Sequence, residues 1–450
     1  MAVKPRYFGG GRRQRQFRYG WSWGLISSAP AWYVFSGLGA PLLHPIWNIT
    51  CSLAGNVMDR SFLKSDRLRV LINGIHAKSG GGVTYLKNIL PILAEDSELE
   101  IHLFIHQDQF ELFDIIDERI RVHLLDFRNG FFFNLVWEQF ALPVLAQVMS
   151  VDVTVSPANY GPLIAPAQII MLRNSLAVAG KETRPIKRLY WAGLTIMTAL
   201  SLLTCRRAIA VSNYARNALT FGISQRLQKK VSVIYHGVRE TFGPPSHEPR
   251  GRYLLAVSDI YVQKNLHTLI YALAEIRRKN PDVILKLAGK AIDRGYLLEL
   301  QNAIRGEKLE AAVEFLGEMN PDQLLDLYQN CLAFVFPSTV ETFGNPLVEA
   351  MACGAPIVSS NTAAMPEILG DAAIYFDPLN SQDIATKINE ILDNADLRKQ
   401  LSERALRRAT NFSWRSTARQ TAEVIKSVAP DRYRIISKSA MGGEPVETPS

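Results

Sequence analysis

Short runs of β-branched and other apolar residues alternate with longer segments of helical periodicity from Arg67 onward. Such alternation is typical of βαβ units, in which helices connect parallel strands. The first half contains seven such runs, predicted as the strands Arg69–Asn73, Glu100–His106, Arg121–Leu125, Val151–Val155, Gln168–Leu172, Ala208–Val211 and Val231–Tyr235. Ligands bind beyond the carboxyl ends of the strands in sheets of this kind, so we expect the functional residues in the loops that follow the strands.

A turn-rich segment at residues 243–251 interrupts the alternation, because its three prolines and two glycines continue neither a helix nor a strand. The pattern then restarts with six predicted strands, Tyr253–Val257, Val283–Leu287, Val313–Leu316, Ala333–Phe336, Pro356–Ser359 and Ala373–Phe376. A chain of 450 residues is also long enough for two domains. The sequence therefore predicts an α/β protein of two doubly wound, Rossmann-like domains, residues 67–242 and 252–411, joined by a linker.

The N-terminal extension, residues 1–66, has a composition of its own. Met1–Met58 contains six basic residues and no acidic residue, so it supplies +6 of the net charge of +8. Because the remaining chain carries only +2, the charge excludes the basic body of a typical nucleic-acid-binding protein. Four tryptophans in this head suit a membrane interface, but prolines and glycines interrupt every stretch of the roughly 20 apolar residues that a spanning helix needs. Two interpretations stay open: a segment that touches the membrane surface, or residues upstream of a native start at Met58.

Two further features concern contact with the membrane and the cellular compartment. The uncharged run Leu189–Cys205 is short for a span and contains several hydroxyl residues, so it is predicted as a buried or surface-docking helix. The four cysteines are far apart and form no C-x-x-C pair, which indicates neither a disulfide framework nor a zinc site. We therefore expect a cytoplasmic protein, with peripheral contact at the inner face of the membrane as an option.

Residues 437–450 are predicted to be a loose tail.

Residues 337–356 carry the strongest local signal for chemistry. Asn345 is predicted as a helix N-cap, Pro346 as the first helical residue, and Gly354 as the left-handed residue that ends the helix. The start of a helix leaves unpaired N–H groups, and Gly344 would let an anion approach the backbone closely. Glu341 and Glu349 flank this site eight positions apart. Because carboxylates repel phosphate, we expect them to accept hydrogen bonds from neutral hydroxyls such as those of a sugar or a ribose.

The motif Glu341-x7-Glu349 with Phe343-Gly344-Asn345-Pro346 resembles the E-x7-E signature of retaining glycosyltransferases with the GT-B fold, family 4 above all. The resemblance runs from Arg67 to about Ser427 and includes further segments at the expected places. These are the glycine loop Gly80-Gly81-Gly82-Val83, the strand-to-helix segment Val211-Ser212-Asn213-Tyr214, the lysine in Gln263-Lys264-Asn265 and the stretch Gly370-Asp371-Ala372-Ala373. Taken singly, each of these segments is more often a flexible turn or an ordinary surface sequence. Their order and spacing together carry the resemblance.

The resemblance implies two Rossmann-like domains that face a central cleft, with the helix at about 412–430 returning to complete the N-terminal domain. It also implies transfer of a hexose, of mannose or glucose type, from a nucleoside diphosphate sugar to a glycan, lipid-linked or small-molecule acceptor, as in polysaccharide biosynthesis. Glu341 would hold the sugar and Glu349 the ribose. Lys264 and the backbone from Phe343 to Leu347 would neutralise the diphosphate, so that neither a metal ion nor another cofactor is needed. Ser258 is assigned to the donor site as well, and Gly81, Gly82 and Asn174 to the acceptor and phosphate loops.

Two positions depart from the family pattern. Asp259 stands where many relatives have an arginine, so that one cation for the phosphates is missing or supplied elsewhere. Arg173 stands where relatives often have a histidine; it can hydrogen-bond a sugar hydroxyl or an anionic acceptor, but it cannot act as a base. Two alternative functions therefore stay open: a nucleotide-sugar epimerase on the same fold, and a non-catalytic paralogue that binds nucleotide sugars. A dinucleotide dehydrogenase is disfavoured, because no G-x-G-x-x-G opens either half.

Overall fold

The structure is a computed structural model, and it describes residues 66–78, 80–113, 117–174, 185–220, 225–246, 251–431 and 433. The basic head up to Met58, the rest of the extension before Asp66, and the tail at 437–450 lie outside these residues. The predictions about the head and the tail therefore remain predictions.

The first half forms a parallel sheet of seven strands. The strands are β1 (Leu68–Asn73), β2 (Leu99–His106), β3 (Arg121–Leu125), β4 (Val153–Ser156), β5 (Ile169–Leu172), β6 (Arg207–Ala210) and β7 (Val231–Val233). Their spatial order is β3-β2-β1-β4-β5-β6-β7. The chain adds β2 and β3 on one side of β1, and then adds β4 to β7 on its other side. The central strand β1 is buried along its whole length, as expected for a parallel sheet that is covered on both faces.

The second half forms a parallel sheet of six strands. The strands are β8 (Tyr253–Val257), β9 (Ile284–Ala288), β10 (Val313–Gly317), β11 (Ala333–Phe336), β12 (Ile357–Ser360) and β13 (Ala373–Phe376). Their order is β10-β9-β8-β11-β12-β13, so the chain again adds strands on both sides of the first strand of the half. The prediction of two doubly wound sheets is confirmed. Every predicted strand has its counterpart, with ends that differ by at most two residues because apolar runs define strands better than they define strand ends.

Helices cover both faces of each sheet. In the first half they are α1 (Gly81–Ala94), α2 (Phe131–Val136), α3 (Leu142–Val148), α4 (Pro185–Thr204), α5 (Asn213–Leu219) and α6 (Gln225–Gln228). A π-helical segment, Trp137–Ala141, joins α2 to α3, and a 3-10 segment, Gln107–Leu112, follows β2. In the second half they are α7 (Leu266–Lys279), α8 (Arg294–Gly306), α9 (Pro321–Asn330), α10 (Asn345–Ala352), α11 (Met365–Leu369), α12 (Ser381–Asp393), α13 (Ala395–Ala409) and α14 (Trp414–Ser427), with a 3-10 turn at Val262–Lys264.

The last helix, α14, packs against α1 of the N-terminal half rather than against the sheet that precedes it. The hydroxyl groups of Tyr85 and Thr421 lie 3.2 Å apart in the buried contact. Thr417 donates a hydrogen bond to the carbonyl of Tyr235, and Lys426 forms an ion pair of 2.8 Å with Asp96 at the rim. The chain thus crosses between the halves twice, near residue 243 and near residue 412. These two crossings connect the sheets on either side of the cleft.

All of the apolar run Leu189–Cys205 except Cys205 lies within α4, a helix of 20 residues with one buried and one exposed face. A second apolar helix runs continuously through α2, the π-helical segment and α3, from Phe131 to Val148. It is the one helix among the described residues with the length and composition of a membrane span. Its inner face nevertheless packs on the sheet through Trp137, Leu142 and Leu145, as a core helix does.

Candidate active site

The two sheets face each other across a cleft of about 450 Å³ that is lined from both halves. The lining residues follow the carboxyl ends of eight strands, β1 and β5 to β11, as expected for doubly wound sheets. The N-terminal half contributes Gly80, Gly81, Gly82, Arg173, Asn174 and His236, and the C-terminal half contributes Ser258, Lys264, Glu341, Phe343, Gly344, Asn345, Pro346 and Glu349. All but one of the predicted site residues therefore meet in one cavity. The exception is Leu347, whose side chain is fully buried in the core.

Lys264 and Glu341 form an ion pair within the cleft. Lys264 lies in the 3-10 turn after β8, and its Nζ also lies 5.3 Å from the centre of the Tyr261 ring. Burial disfavours the ammonium, but the nearby Glu341 carboxylate and Tyr261 outweigh it, so the pKa of Lys264 is raised. Lys264 is therefore a fixed cation. In the ligand-free cleft it neutralises Glu341, which holds the two side chains in place.

Helix α10 begins one residue earlier than the sequence predicts. Gly344, with φ of 85°, occupies the N-cap position, and Asn345 is the first helical residue. The predicted capping role of Asn345 is wrong, because its amide Oδ1 lies 3.0 Å from Nδ1 of His236 instead. The N–H of Leu347 donates to the carbonyl of Gly344, so it is not available to a ligand, contrary to the expectation that the backbone as far as Leu347 binds phosphate. Gly354 has the predicted left-handed conformation, with φ of 68°.

Glu349 is the most desolvated carboxylate of the cleft. Its Oε2 accepts a hydrogen bond of 3.0 Å from the hydroxyl of Tyr328, which is itself fully buried. Burial raises the pKa of Glu349, although the Tyr328 hydroxyl and the charge of Arg239 oppose the change. Its second oxygen has no partner in the hydrogen bonds of the described residues, so it can accept one from a ligand hydroxyl.

Arg173 lies on the opposite wall, directly after β5. The residue reaches the surface of the cleft, but its Nε is shut off from solvent and has no hydrogen-bond partner. No carboxylate among the described residues pairs with it, and burial lowers the pKa of its guanidinium to about 10. A methyl group on Gly82 would come within 2.4 Å of this guanidinium, so the glycine loop fits closely around it. A partly desolvated cation without a counter-charge is costly in isolation, and an anionic ligand would lower this cost.

The backbone around Arg173 is held by both halves. The Oδ1 of Asn159 accepts hydrogen bonds of 2.9 Å from the N–H groups of Arg173 and Asn174. The hydroxyl of Thr342 donates to the carbonyl of Arg173 from the other side of the cleft. The loop that carries Glu341 is thereby attached to the N-terminal half next to the unpaired guanidinium.

Asp259 has an acidic side chain, so it contributes no positive charge to the cleft. Its Oδ1 accepts a hydrogen bond of 3.2 Å from the N–H of Lys290, and Lys290 also lines the cleft. The Nζ of Lys290 lies 3.6 Å from Glu318 at the exposed rim. Among the residues that the structure describes, Lys264 and Lys290 thus both have acidic partners, whereas Arg173 has none.

Glu367 on α11 is a residue that the sequence analysis missed. Its carboxylate accepts hydrogen bonds from the N–H groups of Asn213 (2.6 Å) and Tyr214 (2.8 Å) and from the hydroxyl of Tyr235 (2.9 Å). It therefore binds the start of α5 across the cleft. The Ser212 hydroxyl adds a bond of 2.6 Å to the carbonyl of Thr342. No local motif marks Glu367, because its partners lie more than 130 positions earlier in the chain.

His236 lies at the centre of an aromatic cluster between the halves. Its ring lies 5.5 Å from Tyr85, 5.3 Å from Trp414 and 5.0 Å from Phe343, measured between ring centroids. Burial lowers the pKa of His236 to about 4, so the ring is neutral at physiological pH. With Asn345 as its hydrogen-bond partner, it positions the start of α10 and does not serve as a cation.

Comparison with known proteins identifies the fold. Residues 239–408 match the family model of glycosyl transferases group 1. The O-antigen chain mannosyltransferase B of Escherichia coli is 32% identical over 178 residues, which are 39% of this chain and 45% of that protein. The chain spans between 20% and 62% of the length of the curated mannosyltransferases that it matches.

Two solved structures match most of the chain at low identity. Sucrose-phosphate synthase from Thermosynechococcus elongatus has a TM-score of 0.67 at 18% identity, covering 83% of this chain and 100% of that one. Anabaena Alr3699/HepE in complex with UDP and glucose has a TM-score of 0.64 at 20% identity, covering 80% and 100%. Likeness at these identities concerns the fold. The chain therefore has the GT-B fold, and its C-terminal half matches the family of glycosyl transferases group 1 over residues 239–408.

Proposed function

We propose that the chain is a retaining glycosyltransferase of family 4 that transfers a hexose from a nucleoside diphosphate sugar to a glycan, lipid-linked or small-molecule acceptor. One observation carries the proposal: a fixed Lys264–Glu341 pair, the start of α10 and the half-buried Glu349 converge on a single cleft. Opposite them lies Arg173, with which no carboxylate among the described residues pairs. The similar proteins include a mannosyltransferase and a structure in complex with UDP and glucose, which supports a nucleotide-sugar donor of mannose or glucose type.

The leaving diphosphate lies, in this proposal, at the start of α10. There the N–H of Asn345 and the positive end of the helix dipole stabilise negative charge without a metal ion or a cofactor. Lys264 adds a full positive charge once the donor sugar draws Glu341 into hydrogen bonds. Glu349 accepts a hydrogen bond from the ribose, because one of its oxygens is occupied by Tyr328 and the other faces the cleft.

Arg173 supplies the phosphate cation that Asp259 does not. It lies against Gly82, and Asn345 at the start of α10 lies near the neighbouring Gly81, so both walls of the cleft flank the proposed diphosphate. A guanidinium that is already desolvated loses little further hydration when it binds an anion, so the charge-assisted hydrogen bond is strong. Asn174 and the glycine loop at Gly81 and Gly82 face the acceptor side.

Transfer proceeds with retention at the anomeric carbon. The bond between this carbon and the diphosphate oxygen breaks, and the acceptor oxygen forms its bond on the same face of the sugar. The acceptor proton moves to the departing phosphate oxygen, so no protein base is needed. Arg173 cannot take that proton because its guanidinium remains protonated. Closure of the two halves around the donor excludes water that would otherwise hydrolyse it.

The test compares Glu341→Gln with Glu318→Gln, a control at the exposed rim of the same cleft. We expect Glu341→Gln to lower donor turnover by about 100-fold or more. Its affinity for the nucleoside diphosphate alone should be equal or higher, because Lys264 is no longer neutralised. The control should change neither quantity. Wild-type turnover in the Glu341→Gln variant would contradict the assignment of the site.

Asp259 favours one alternative, a paralogue that binds nucleotide sugar without turnover. Such a protein would bind the donor in calorimetry and yet release no sugar over long incubation. An epimerase would instead release an altered sugar in the absence of any acceptor, which analysis of the products detects. For the glycosyltransferase we expect slow hydrolysis of the donor without acceptor and fast consumption with it.

A further inference from the structure

Two helices on one face of the N-terminal sheet expose apolar stripes. On α4 the exposed residues recur at helical spacing, at Leu189, Ala192, Ile196, Leu200 and Leu203. On the helix from Phe131 to Val148 they are Phe132, Phe140, Val144 and Val148, and Phe140 is 71% exposed. Each stripe lies opposite a face that packs into the core. Apolar residues at this spacing are normally buried, so an exposed stripe indicates a partner surface.

Both stripes face the same side of the molecule. The connections β3 to β4 and β5 to β6 run in the same direction along the sheet, so right-handed crossovers place their helices on the same face. The rings of Phe131 and Tyr190 are in contact, with centroids 4.9 Å apart. Further along, Gln139 and Ser201 both hydrogen-bond Gly161, in a loop that exposes Ile164 between the helices. The two stripes and Ile164 therefore form one surface, here called the apolar face.

Basic residues lie at both ends of the α4 stripe of the apolar face. Residues 127–239 contain thirteen Lys and Arg but only three Asp and Glu, a net charge of +10 that exceeds the +8 of the whole chain. Two of the three acidic residues, Glu138 and Asp152, are buried. Arg188 lies at the beginning of the α4 stripe, and Arg206 and Lys229 lie beyond its end, all three exposed. The positive charge of the body is thus concentrated in the segment that carries the apolar face, although the body as a whole is nearly balanced.

The helix from Phe131 to Val148 does not span a membrane in this arrangement. The carboxylate of Glu138, on its inner face, accepts a hydrogen bond of 2.6 Å from Asn73 and lies 3.3 Å from His76. Removing the helix from the sheet would leave that buried charge without its partners. The helix therefore lies along a surface, with its outer stripe available.

We propose that the apolar face docks the enzyme on the surface of an anionic lipid bilayer. Aliphatic and phenylalanine side chains enter the boundary between headgroups and acyl chains, while the basic residues at the ends of α4 contact anionic headgroups. Charge complementarity selects this occupant over a second copy of the chain, whose apolar face has the same positive surroundings. The contact is independent of the proposed glycosyl transfer, and it is separate from any contact made by the basic head.

The test measures binding of the full chain to sedimenting vesicles of phosphatidylcholine, with or without phosphatidylglycerol. The variant Ile196→Asp/Leu203→Asp changes the stripe, and Leu298→Asp/Leu379→Asp is a matched control on exposed apolar residues of the C-terminal half. We expect the wild type and the control to bind anionic vesicles, more weakly at high salt. The affinity of the stripe variant for anionic vesicles should fall by at least about tenfold. Its unfolding temperature and its donor binding should not change.

A second variant, Arg188→Gln/Arg206→Gln, should lose binding to anionic vesicles while leaving the weaker binding to neutral vesicles unchanged. Two outcomes would overturn the proposal. Full binding by the stripe variant would show that another part of the chain, such as the head, carries the contact. A dimer in sedimentation equilibrium that the stripe variant dissociates, with no vesicle binding by the wild type, would show that a second copy covers the apolar face.

Discussion

Replacing Arg173 with methionine should make the ligand-free protein more stable and weaken its binding of nucleoside diphosphates. Methionine occupies the path of the aliphatic stem of arginine and has no charge, so it requires no counter-ion beside Gly82. The hydrogen bonds around position 173 involve backbone atoms, the N–H to Asn159 and the carbonyl to Thr342, and they persist in the variant. The substitution therefore isolates the charge of the guanidinium.

The size of the gain follows from the desolvation of the guanidinium. Burial lowers the pKa of Arg173 to about 10, from an ordinary 12.5, and each pKa unit corresponds to about 1.4 kcal/mol. Because the residue reaches the cleft and its water, roughly half of the resulting ~3 kcal/mol is expected, a gain of about 1–2 kcal/mol. In a protein of this size this raises the Tm by a few degrees. The loss of a charge-assisted hydrogen bond should weaken diphosphate binding about 10- to 100-fold.

Calorimetric unfolding measures the first effect, and isothermal titration with UDP or GDP measures the second. Arg173→Lys is the matched control, because it keeps the charge; it should retain the lower stability and part of the affinity. A methionine variant that is less stable than the wild type and binds nucleotide equally well would refute the reasoning. Arg173 would then be a packing residue rather than an anion site.

Two other substitutions separate the remaining parts of the cleft. Glu349→Gln should leave stability unchanged or higher at neutral pH, because burial raises the pKa of Glu349 and its charged form is disfavoured in the fold. A raised pKa favours folding at low pH, and this contribution is lost as the pH rises through the pKa of the folded protein. The unfolding free energies of the wild type and of Glu349→Gln should therefore diverge towards neutral pH. Parallel pH profiles of the two proteins would contradict this prediction. Glu367→Gln should lower the unfolding free energy by about 1–3 kcal/mol and increase amide exchange at the start of α5, since a neutral amide replaces the carboxylate that accepts its hydrogen bonds. Unchanged exchange at Asn213 and Tyr214 would show that the bond across the cleft is not needed.

The succession of strands along the chain and the meeting of the site residues at one cleft were predictable, because both depend on local patterns. Apolar runs separated by helices determine parallel sheets, and in parallel sheets the loops after the strands share one edge. Thus Lys264, Glu341 and Gly82, which are far apart in sequence, could be expected at one cleft. The resemblance to glycosyltransferases added their roles, which remain predictions.

Features that depend on distant partners were not predictable. Asn345 looks like a helix cap in its own segment, but its amide pairs with His236, 109 positions earlier. Likewise, the sequence contains Arg173 but does not show that no carboxylate reaches it. The run from Leu189 to Cys205 has the same apolar pattern whether its outer face is covered or exposed, so only the packing of α4 reveals the stripe.

The central claim is that a nucleoside diphosphate sugar binds between the two sheets. Its most direct test is hydrogen exchange of the full chain with and without the sugar nucleotide that gives the largest thermal shift in a panel of UDP-, GDP- and ADP-sugars. We expect protection at the start of α10, around Lys264 and in the glycine loop of the opposite half. Protection confined to other regions, or no shift with any member of the panel, would contradict the account.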